Sequence, residues 1–316
     1  MEQQHAETQE RDVGICIMEQ QQVDAVRIVR IDTLEGCQDH VRLQNIVWAG
    51  TPTEAVPSHL LLAAARNGAA VLGAYADEGA TDAETGDGAM MVGALLSFPA
   101  LHDGRHTHLS HMLAIHPDWR GRGIGPALKW RQRDLVLGQG IDRITWTYDP
   151  LEAVNARLNL TRLGGYTRSY VRDYYGAMDD ELNQGLPSDR LVVTWRLDAA
   201  RVRARASGGL VEPTVAGLPI ALDTTPDARG LPRPLPYTAP AGPAALVAIP
   251  PRMRDIRRRD AGLSLEWRLA VRAALEHLFA AGYTATAVAR QGQQPFYLLE
   301  QDALDTDCLI AHGLAE

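Results

Sequence analysis

Apolar and polar residues repeat along the chain with two periods, one typical of helices and one typical of strands. Apolar residues at helical spacing predict four helices in the first two thirds of the chain, at residues 33–48, 59–66, 126–137 and 153–163. Apolar runs bounded by Gly, Pro, Asn or Asp predict the intervening strands. These strands are residues 22–31, 69–76, 89–101, 107–116, 143–148, 165–172 and 190–197.

The pattern changes after residue 198. Residues 199–245 are crowded with Pro and Gly and lose regular periodicity, which predicts a long connection over the surface. Residues 246–316 recover it, with an amphipathic helix at 263–281 between short strands, and they predict a smaller C-terminal α+β unit. Residues 1–20 are polar and predict a mobile tail. We therefore expect the main domain to occupy residues 21–198.

The composition excludes several classes of protein. The chain has 316 residues, 46% of them hydrophobic, so it can bury a core of ordinary size. Its formal net charge of −8 disfavours nucleic acid as the main partner, because binding a phosphate backbone needs positive charge. No apolar run reaches the length of a membrane span, and the acidic start does not resemble a signal peptide, so we expect no membrane association.

The counts of cysteine, lysine and histidine narrow the chemistry further. Cys16, Cys37 and Cys308 are too far apart for a disulfide framework or a metal site, which favours a cytoplasmic location. Lys129 is the single lysine, and the chain has no GxxxxGK[ST] loop, so most pyridoxal enzymes and P-loop NTPases are excluded. The three histidines at 102–108 define no tetrahedral set, and we predict no metal.

The stretch SHMLAIHPDWRGRGIGPALKW, residues 110–130, carries the strongest chemical signal. It predicts an apolar strand, a short turn, a loop with three alternating glycines and then a helix. Glycines let successive N–H groups turn inward, and together with the helix N-terminus these groups bind anions. Arg120 and Arg122 add positive charge, so the expected ligand is a pyrophosphate. Such loops also occur for packing reasons alone, and a dinucleotide-binding loop would follow the first strand of its sheet.

The fuller pattern resembles motif A of the GNAT superfamily of acyl-CoA-dependent N-acyltransferases. The family pattern Q/R-x-x-G-x-G/A is matched here by Arg120, Gly123 and Gly125. Asn-Ala-Arg at 155–157, followed by Leu-Gly-Gly-Tyr at 163–166, is similar to the stretch after the fifth strand of the family. The segments WTYDPLEAVNARLN, LGGY and LPSDRLVVTW resemble a GNAT subgroup with an extra C-terminal region. Some relatives in that subgroup acylate amino acids, including by succinyl transfer.

The resemblance implies a fold and a division of labour. The fold is of the α/β class (α+β type), with a mixed, mostly antiparallel sheet flanked by helices. Loop N–H groups would hold the pyrophosphate of coenzyme A, a strand opened by a β-bulge would pair with its pantetheine arm, and an N–H near Leu113 would stabilise the oxyanion. The residues so assigned to acetyl-CoA or another acyl-CoA are Met112, Leu113, Ala114, Ile115, Arg120, Gly121, Arg122, Gly123, Ile124, Gly125 and Asn155.

The reaction that the resemblance implies is acyl transfer to an amine, which must lose a proton before it attacks. His111 lies where some family members carry a histidine, and we predict it as the base; the alternative is a histidine satisfied within the sheet. Many relatives protonate the leaving thiolate with a Tyr five residues after the Asn, but this chain has Leu160 there. Tyr148, Tyr174 or Tyr175 could replace it.

We expect the acceptor to be a primary amine of a small molecule, such as an amino acid. Its pocket would be built from loops 77–88 and 99–108 and the C-terminal unit, and the donor would be an acetyl or succinyl thioester. The added unit favours a homodimer. Two other functions remain open: a GNAT fold that binds coenzyme A without catalysis, and an interaction protein in which the loop is vestigial.

Overall fold

The computed structural model describes residues 26–48, 55–77, 89–102, 104–176 and 186–301. The predicted tail 1–20 and most of the predicted loop 77–88 lie outside these residues. The described residues form two sheets with their helices. None of the described helices combines the length and the apolar character that crossing a membrane requires.

The first sheet has seven strands in the spatial order β1-β2-β3-β4-β5-β7-β6. Every neighbouring pair is antiparallel except β4 and β5, which are parallel. The sheet is therefore mixed and mostly antiparallel, as expected from the sequence. Its elements are β1 (Val26–Arg30), α1 (Leu34–Val47), α2 (Ser58–Arg66), β2 (Ala70–Asp77), β3 (Ala89–His102), β4 (Arg105–Ile115), α3 (Ile124–Gly138), β5 (Arg143–Tyr148), α4 (Ala153–Ala156), β6 (Tyr170–Val171) and β7 (Arg190–Arg196).

Helices cover this sheet on both faces, because each strand presents apolar side chains to both sides. Helices α1 and α2 bury Leu43 and Leu61 with Val71 and Leu96 of the sheet. Helix α3 buries Ile124 and Leu128 on the opposite face. We call these the α1 face and the α3 face. The first helix begins where the sequence predicts, with the Thr33 hydroxyl accepting from the N–H of Gly36.

The second sheet has four strands in the order β12-β13-β11-β8. Strand β13 pairs antiparallel with β11 and β12, as β7 does with β5 and β6 in the first sheet. In each sheet, the last strand along the chain therefore lies between two earlier strands and runs antiparallel to both. The elements are α5 (Ala200–Ala206), β8 (Ile220–Leu222), β9 (Thr224–Pro226), β10 (Pro232–Pro234), β11 (Ala244–Ala248), α6 (Met253–Arg259), α7 (Ala261–Ala280), β12 (Tyr283–Gln291) and β13 (Gln294–Gln301).

Residues 199–245 differ from the irregular connection that their composition predicts. They contain α5, the small β9–β10 hairpin and β8, which joins the second sheet beside β11. The strands are only three residues long, too short for periodicity to reveal them. Helix α6 was also missed, because its seven residues bury only Met253 and Ile256.

The two sheets share hydrogen bonds and a core. Thr167 and Ala285 exchange two backbone hydrogen bonds, of 3.0 and 2.8 Å. The hydroxyl of Thr161 donates to the carbonyl of Val288 and accepts from its N–H, at 2.9 and 2.8 Å. One hydrophobic cluster contains Trp195 of the first sheet together with Trp267 of α7.

The predicted helix at 153–163 is interrupted. Four α-helical residues are followed by a π-helical turn, Arg157–Arg162. This turn packs against β12 and buries Asn159, Leu160 and Thr161. The wider turn brings the Thr161 hydroxyl to the backbone of Val288, and no periodicity in the sequence announces such a turn.

Candidate functional site: the β4–β5 cleft and the glycine turn

The main irregularity of the first sheet lies between its two parallel strands. Strands β4 and β5 pair at only two positions, His108 with Ile144 and Leu109 with Thr145. Strand β4 stays paired with β3 as far as Ile115. In the described part of the chain, the edge of β4 that faces β5 therefore has no strand partner beyond Leu109. We call this opening the β4–β5 cleft, and its closed end lies at Leu109.

A β-bulge in β4 lies at the closed end of the cleft. Leu96 of β3 pairs with Met112 and the next residue, Ser97, pairs with Ser110, so His111 is the extra residue. The bulge changes the alternation of side chains. Ser110 lies on the α3 face, where its hydroxyl meets Lys129. His111 lies near Phe98, which packs with the α1-face core.

The glycine turn, residues 117–125, leads from β4 into α3. Gly121 and Gly123 have φ of 79° and 84°, a region that favours glycine. A Cβ on either would meet nothing within 4 Å, so backbone conformation and not crowding selects glycine. Helix α3 starts at Ile124 without a side-chain cap, which leaves its first N–H groups directed at the turn.

Two exposed arginines flank the glycine turn. The Nε of Arg120 donates to the carbonyl of Ile115 at 3.4 Å. The guanidinium of Arg122 lies 4.5 Å from the ring centroid of Trp119. Neither arginine forms an ion pair with a carboxylate in the described residues. The turn therefore combines free helix N–H groups with two cations, which suits a phosphate ligand.

His111, the extra residue of the bulge, is the predicted base. It is exposed, while desolvation of the buried part of its imidazole lowers its pKa below the usual 6.5. A neutral ring is therefore favoured at pH 7. His108, three residues earlier, is a structural histidine. Its ring nitrogens lie 2.7 Å from Ser97 Oγ and 2.7 Å from Gln139 Oε1.

The three tyrosines that could replace the absent family Tyr lie in different surroundings. Leu160 itself is fully buried. Tyr148 is buried on the α3 side of β5, and burial raises its pKa. Tyr174 and Tyr175 are exposed, and the Tyr175 hydroxyl lies 3.4 Å from Thr147 Oγ1. Because Thr147 alternates with the α3-facing Trp146, Tyr175 lies on the same side of the sheet as His111.

The remaining predicted residues divide between the cleft and its surroundings. Met112, Leu113, Ala114 and Ile115 line the unpaired edge of β4. Asn155 is exposed on α4, which follows β5. Of the predicted acceptor loops, residues 78–88 and 103 lie outside the described chain. Among the residues that the structure does describe, no three His, Cys, Asp or Glu side chains come together as a metal site would require.

Lys129 is the feature that the sequence reasoning missed. It is 3% exposed on α3, and its Nζ donates to Ser110 Oγ at 3.0 Å. The same atom lies 3.7 Å from the ring centroid of Trp146. A signal existed: the buried positions of α3 are Ile124, Leu128, Lys129, Gln132 and Val136, so the helical period places two polar residues on its inner face.

Three features of the first sheet match those implied by the motif resemblance. They are the mixed strand order, the bulge in the fourth strand and the cleft between the fourth and fifth strands. Residues 26–196 therefore form the mixed, mostly antiparallel sheet flanked by helices that the resemblance implies.

Comparison with known proteins found similarity only among solved structures. No protein family model and no curated protein matches the chain. The structure of Arabidopsis thaliana NAA60 with a bisubstrate analogue is 15% identical, covers 54% of this chain and 98% of its own, and gives a TM-score of 0.42. The ribosomal-protein-S18-alanine N-acetyltransferase from Escherichia coli is 15% identical, and the match covers 55% of this chain and 96% of that one with a TM-score of 0.39. The PaiA N-acetyltransferase from Thermoplasma acidophilum, in complex with coenzyme A, is 12% identical, and the match covers 55% of this chain and 99% of that one with a TM-score of 0.37.

All three TM-scores are below 0.5, so these likenesses do not establish what the chain does. The matched part is a little over half of this chain.

Proposed function

We propose that this protein transfers an acyl group from an acyl-CoA to a primary amine of a small molecule, such as an amino acid, while both are bound. The observation that carries the proposal is the glycine turn at the open end of the β4–β5 cleft. A diphosphate bound at the turn would lie next to an unpaired strand edge. A linear chain attached to that diphosphate can follow the edge toward His111.

Each part of coenzyme A has a matching group. The N–H groups of the turn and of the α3 N-terminus, with Arg120 and Arg122, would bind the pyrophosphate. The backbone of Met112–Ile115 would pair with the amides of pantetheine as a strand partner would, and Asn155 would contact the same arm. The N–H of Leu113 would stabilise the oxyanion on the thioester carbonyl.

The chemical step needs one base and one acid. His111 removes a proton from the bound ammonium, and the amine nitrogen attacks the thioester carbon. The tetrahedral intermediate collapses, the C–S bond breaks, and an amide forms as the nitrogen loses its second proton, which replaces the proton that the acid gives to the thiolate. The thiolate then takes a proton, and we assign this role to Tyr175 because it lies on the same side of the sheet as His111. No covalent enzyme intermediate is required, since positioning both substrates supplies much of the acceleration.

The turn can be tested with a matched pair of substitutions at the two ends of α3. Gly123 and Gly140 both have positive φ, 84° and 74°, and both have open space around a Cβ. Either change to Ala should cost about 1–2 kcal/mol of stability through the same backbone strain. Only Gly123→Ala should weaken coenzyme A binding, by about tenfold or more, measured by calorimetry. Equal affinities of the two variants for coenzyme A would refute the binding site.

A second function, binding of coenzyme A without catalysis, is favoured by one observation. The position of the family Tyr is occupied by Leu160, which is fully buried and offers no proton. A thiol-release assay with acetyl-CoA and a panel of amines separates the two functions. Amine-dependent thiol release supports transfer, while tight binding with no release over the panel supports the second function.

A further inference from the structure

Lys129 is a buried cation without an anionic partner. Its ammonium group has a hydroxyl, Ser110 Oγ, as hydrogen-bond partner and lies over the faces of Trp146 and Trp195, at 3.7 and 5.6 Å. No carboxylate pairs with it in the described residues, whereas the buried Arg268 pairs with Asp149 at 2.6 Å. Burial alone lowers the pKa of Lys129 to about 7, and no neighbouring charge opposes this shift.

Lys129 also lies at a defined place in the cleft. Its partner Ser110 is the first β4 residue beyond the last β4–β5 pair, and Trp146 follows that pair on β5. Lys129 therefore marks the closed end of the cleft on the α3 face. The glycine turn marks the other end, because it follows Ile115.

This placement gives the donor a direction, and here the inference rests on the proposed function. The pyrophosphate lies at the turn, pantetheine follows Ile115 to Met112, and the thioester carbonyl is near the bulge. An acyl chain that continued in the same direction would approach Ser110, Trp146 and Lys129. We propose that Lys129 and Ser110 form the end of the acyl subsite and select acyl groups that terminate in a carboxylate.

The chemistry of the subsite favours an anion over a methyl group. A carboxylate accepts charge-assisted hydrogen bonds from an ammonium and a hydroxyl, and it supplies the missing negative charge. The indole faces attract the cation but cannot accept its N–H groups as strongly. A neutral acyl chain would bury further apolar surface beside an uncompensated cation, which is unfavourable.

Succinyl-CoA and butyryl-CoA are suitable probes, because their four-carbon acyl groups differ only in whether the chain ends in a carboxylate or in a methyl group. Calorimetry without an acceptor measures both affinities, so the unknown amine does not enter. We expect the unmodified protein to bind succinyl-CoA at least about tenfold more tightly than butyryl-CoA. In Lys129→Met, which keeps a chain of similar length without the charge, the ratio should fall to about one. Ser110→Ala should lower it partially.

Gln132→Met provides the matched control. Gln132 is fully buried on the same face of α3, and its amide has no hydrogen-bond partner among the described residues. This variant should retain the succinyl preference. Equal binding of the two thioesters by the unmodified protein, or an equal loss of preference in Lys129→Met and Gln132→Met, overturns the subsite. If no coenzyme A species binds at all, the proposed function fails as well, which is a distinguishable result.

Discussion

Asp189 and Arg272 form a bidentate ion pair, with both N–O distances 2.8 Å, between the start of β7 and helix α7 of the second sheet. The Asp189 carboxylate is fully buried and also accepts from the Tyr170 hydroxyl at 2.6 Å. The same carboxylate accepts a further hydrogen bond, at 3.0 Å, from the backbone N–H of Asp173, which holds the chain just before Tyr174 and Tyr175. The second sheet thus supports the segment that carries the proposed acid.

Breaking this pair should destabilise the protein strongly. Arg272→Met leaves a buried carboxylate without its main partner, so we expect a loss of about 3–5 kcal/mol in the free energy of unfolding. Urea denaturation measures it. Arg233→Met, which removes an exposed pair with Glu266 at 3.3 Å, is the control and should cost less than about 1 kcal/mol. Similar losses in both variants would show that the buried Asp189–Arg272 pair contributes no more to the free energy of unfolding than an exposed pair.

The same carboxylate makes stability sensitive to acid. Burial alone would raise the pKa of Asp189, but the hydrogen bonds from Arg272 and Tyr170 outweigh it and hold the pKa below its usual value. The stabilisation is therefore complete above the unfolded pKa of about 3.9 and is lost as pH falls through the folded pKa. Asp189→Asn should flatten the acid limb of a stability–pH curve. An unchanged acid limb would contradict this assignment.

Lys129 should affect stability at the opposite end of the pH scale. Its pKa is lowered to about 7 in the folded protein, so between pH 7 and about 10.5 the unfolded chain binds more protons. Stability should rise with pH over this window. Lys129→Met should remove the rise and increase stability at pH 7 by about 1–3 kcal/mol. Thermal unfolding from pH 6 to pH 10 tests this, and a flat profile in the unmodified protein would argue against a buried, uncompensated lysine.

His111 should govern the acid limb of the activity profile. Because the pKa of His111 lies below 6.5, the proposed base stays neutral at pH 7, and kcat/KM should fall only as pH drops through that lowered pKa. His111→Gln should reduce kcat by about 10²- to 10⁴-fold and abolish the limb. His59→Gln, at an exposed histidine of α2, is the control and should leave both unchanged. An acid limb that persists in His111→Gln would assign the base elsewhere.

The Thr161 hydroxyl links the π-helical turn to β12, and its removal should be measurable. Thr161→Val deletes both hydrogen bonds to Val288 and buries an unpaired N–H and carbonyl, at a cost of about 1–3 kcal/mol. Thr161→Ser keeps the hydroxyl and should retain most of the stability. The comparison of the two variants by urea denaturation separates the hydrogen bonds from the lost methyl group.

The sequence could predict those features of the structure that are determined by residues close together in the chain. The glycine turn and the start of α1 follow from nearby residues, and the structure has both where expected. The bulge at His111 depends on how β4 pairs with β3, so periodicity alone does not locate it. Lys129 illustrates the same limit: the helical period placed it inward, but its neighbours Trp146 and Trp195 come from two other strands.

Tyr166 hydrogen-bonds to Thr194 of the first sheet and the adjacent Thr167 hydrogen-bonds to Ala285 of the second, so two consecutive residues connect the two sheets. A chain cut at residue 198 would keep the glycine turn but lose the backbone partner of Thr167 and expose the apolar surface around Trp195. Heat or denaturant should therefore unfold the whole described chain in a single transition, and a chain that ends at residue 198 should not stay soluble.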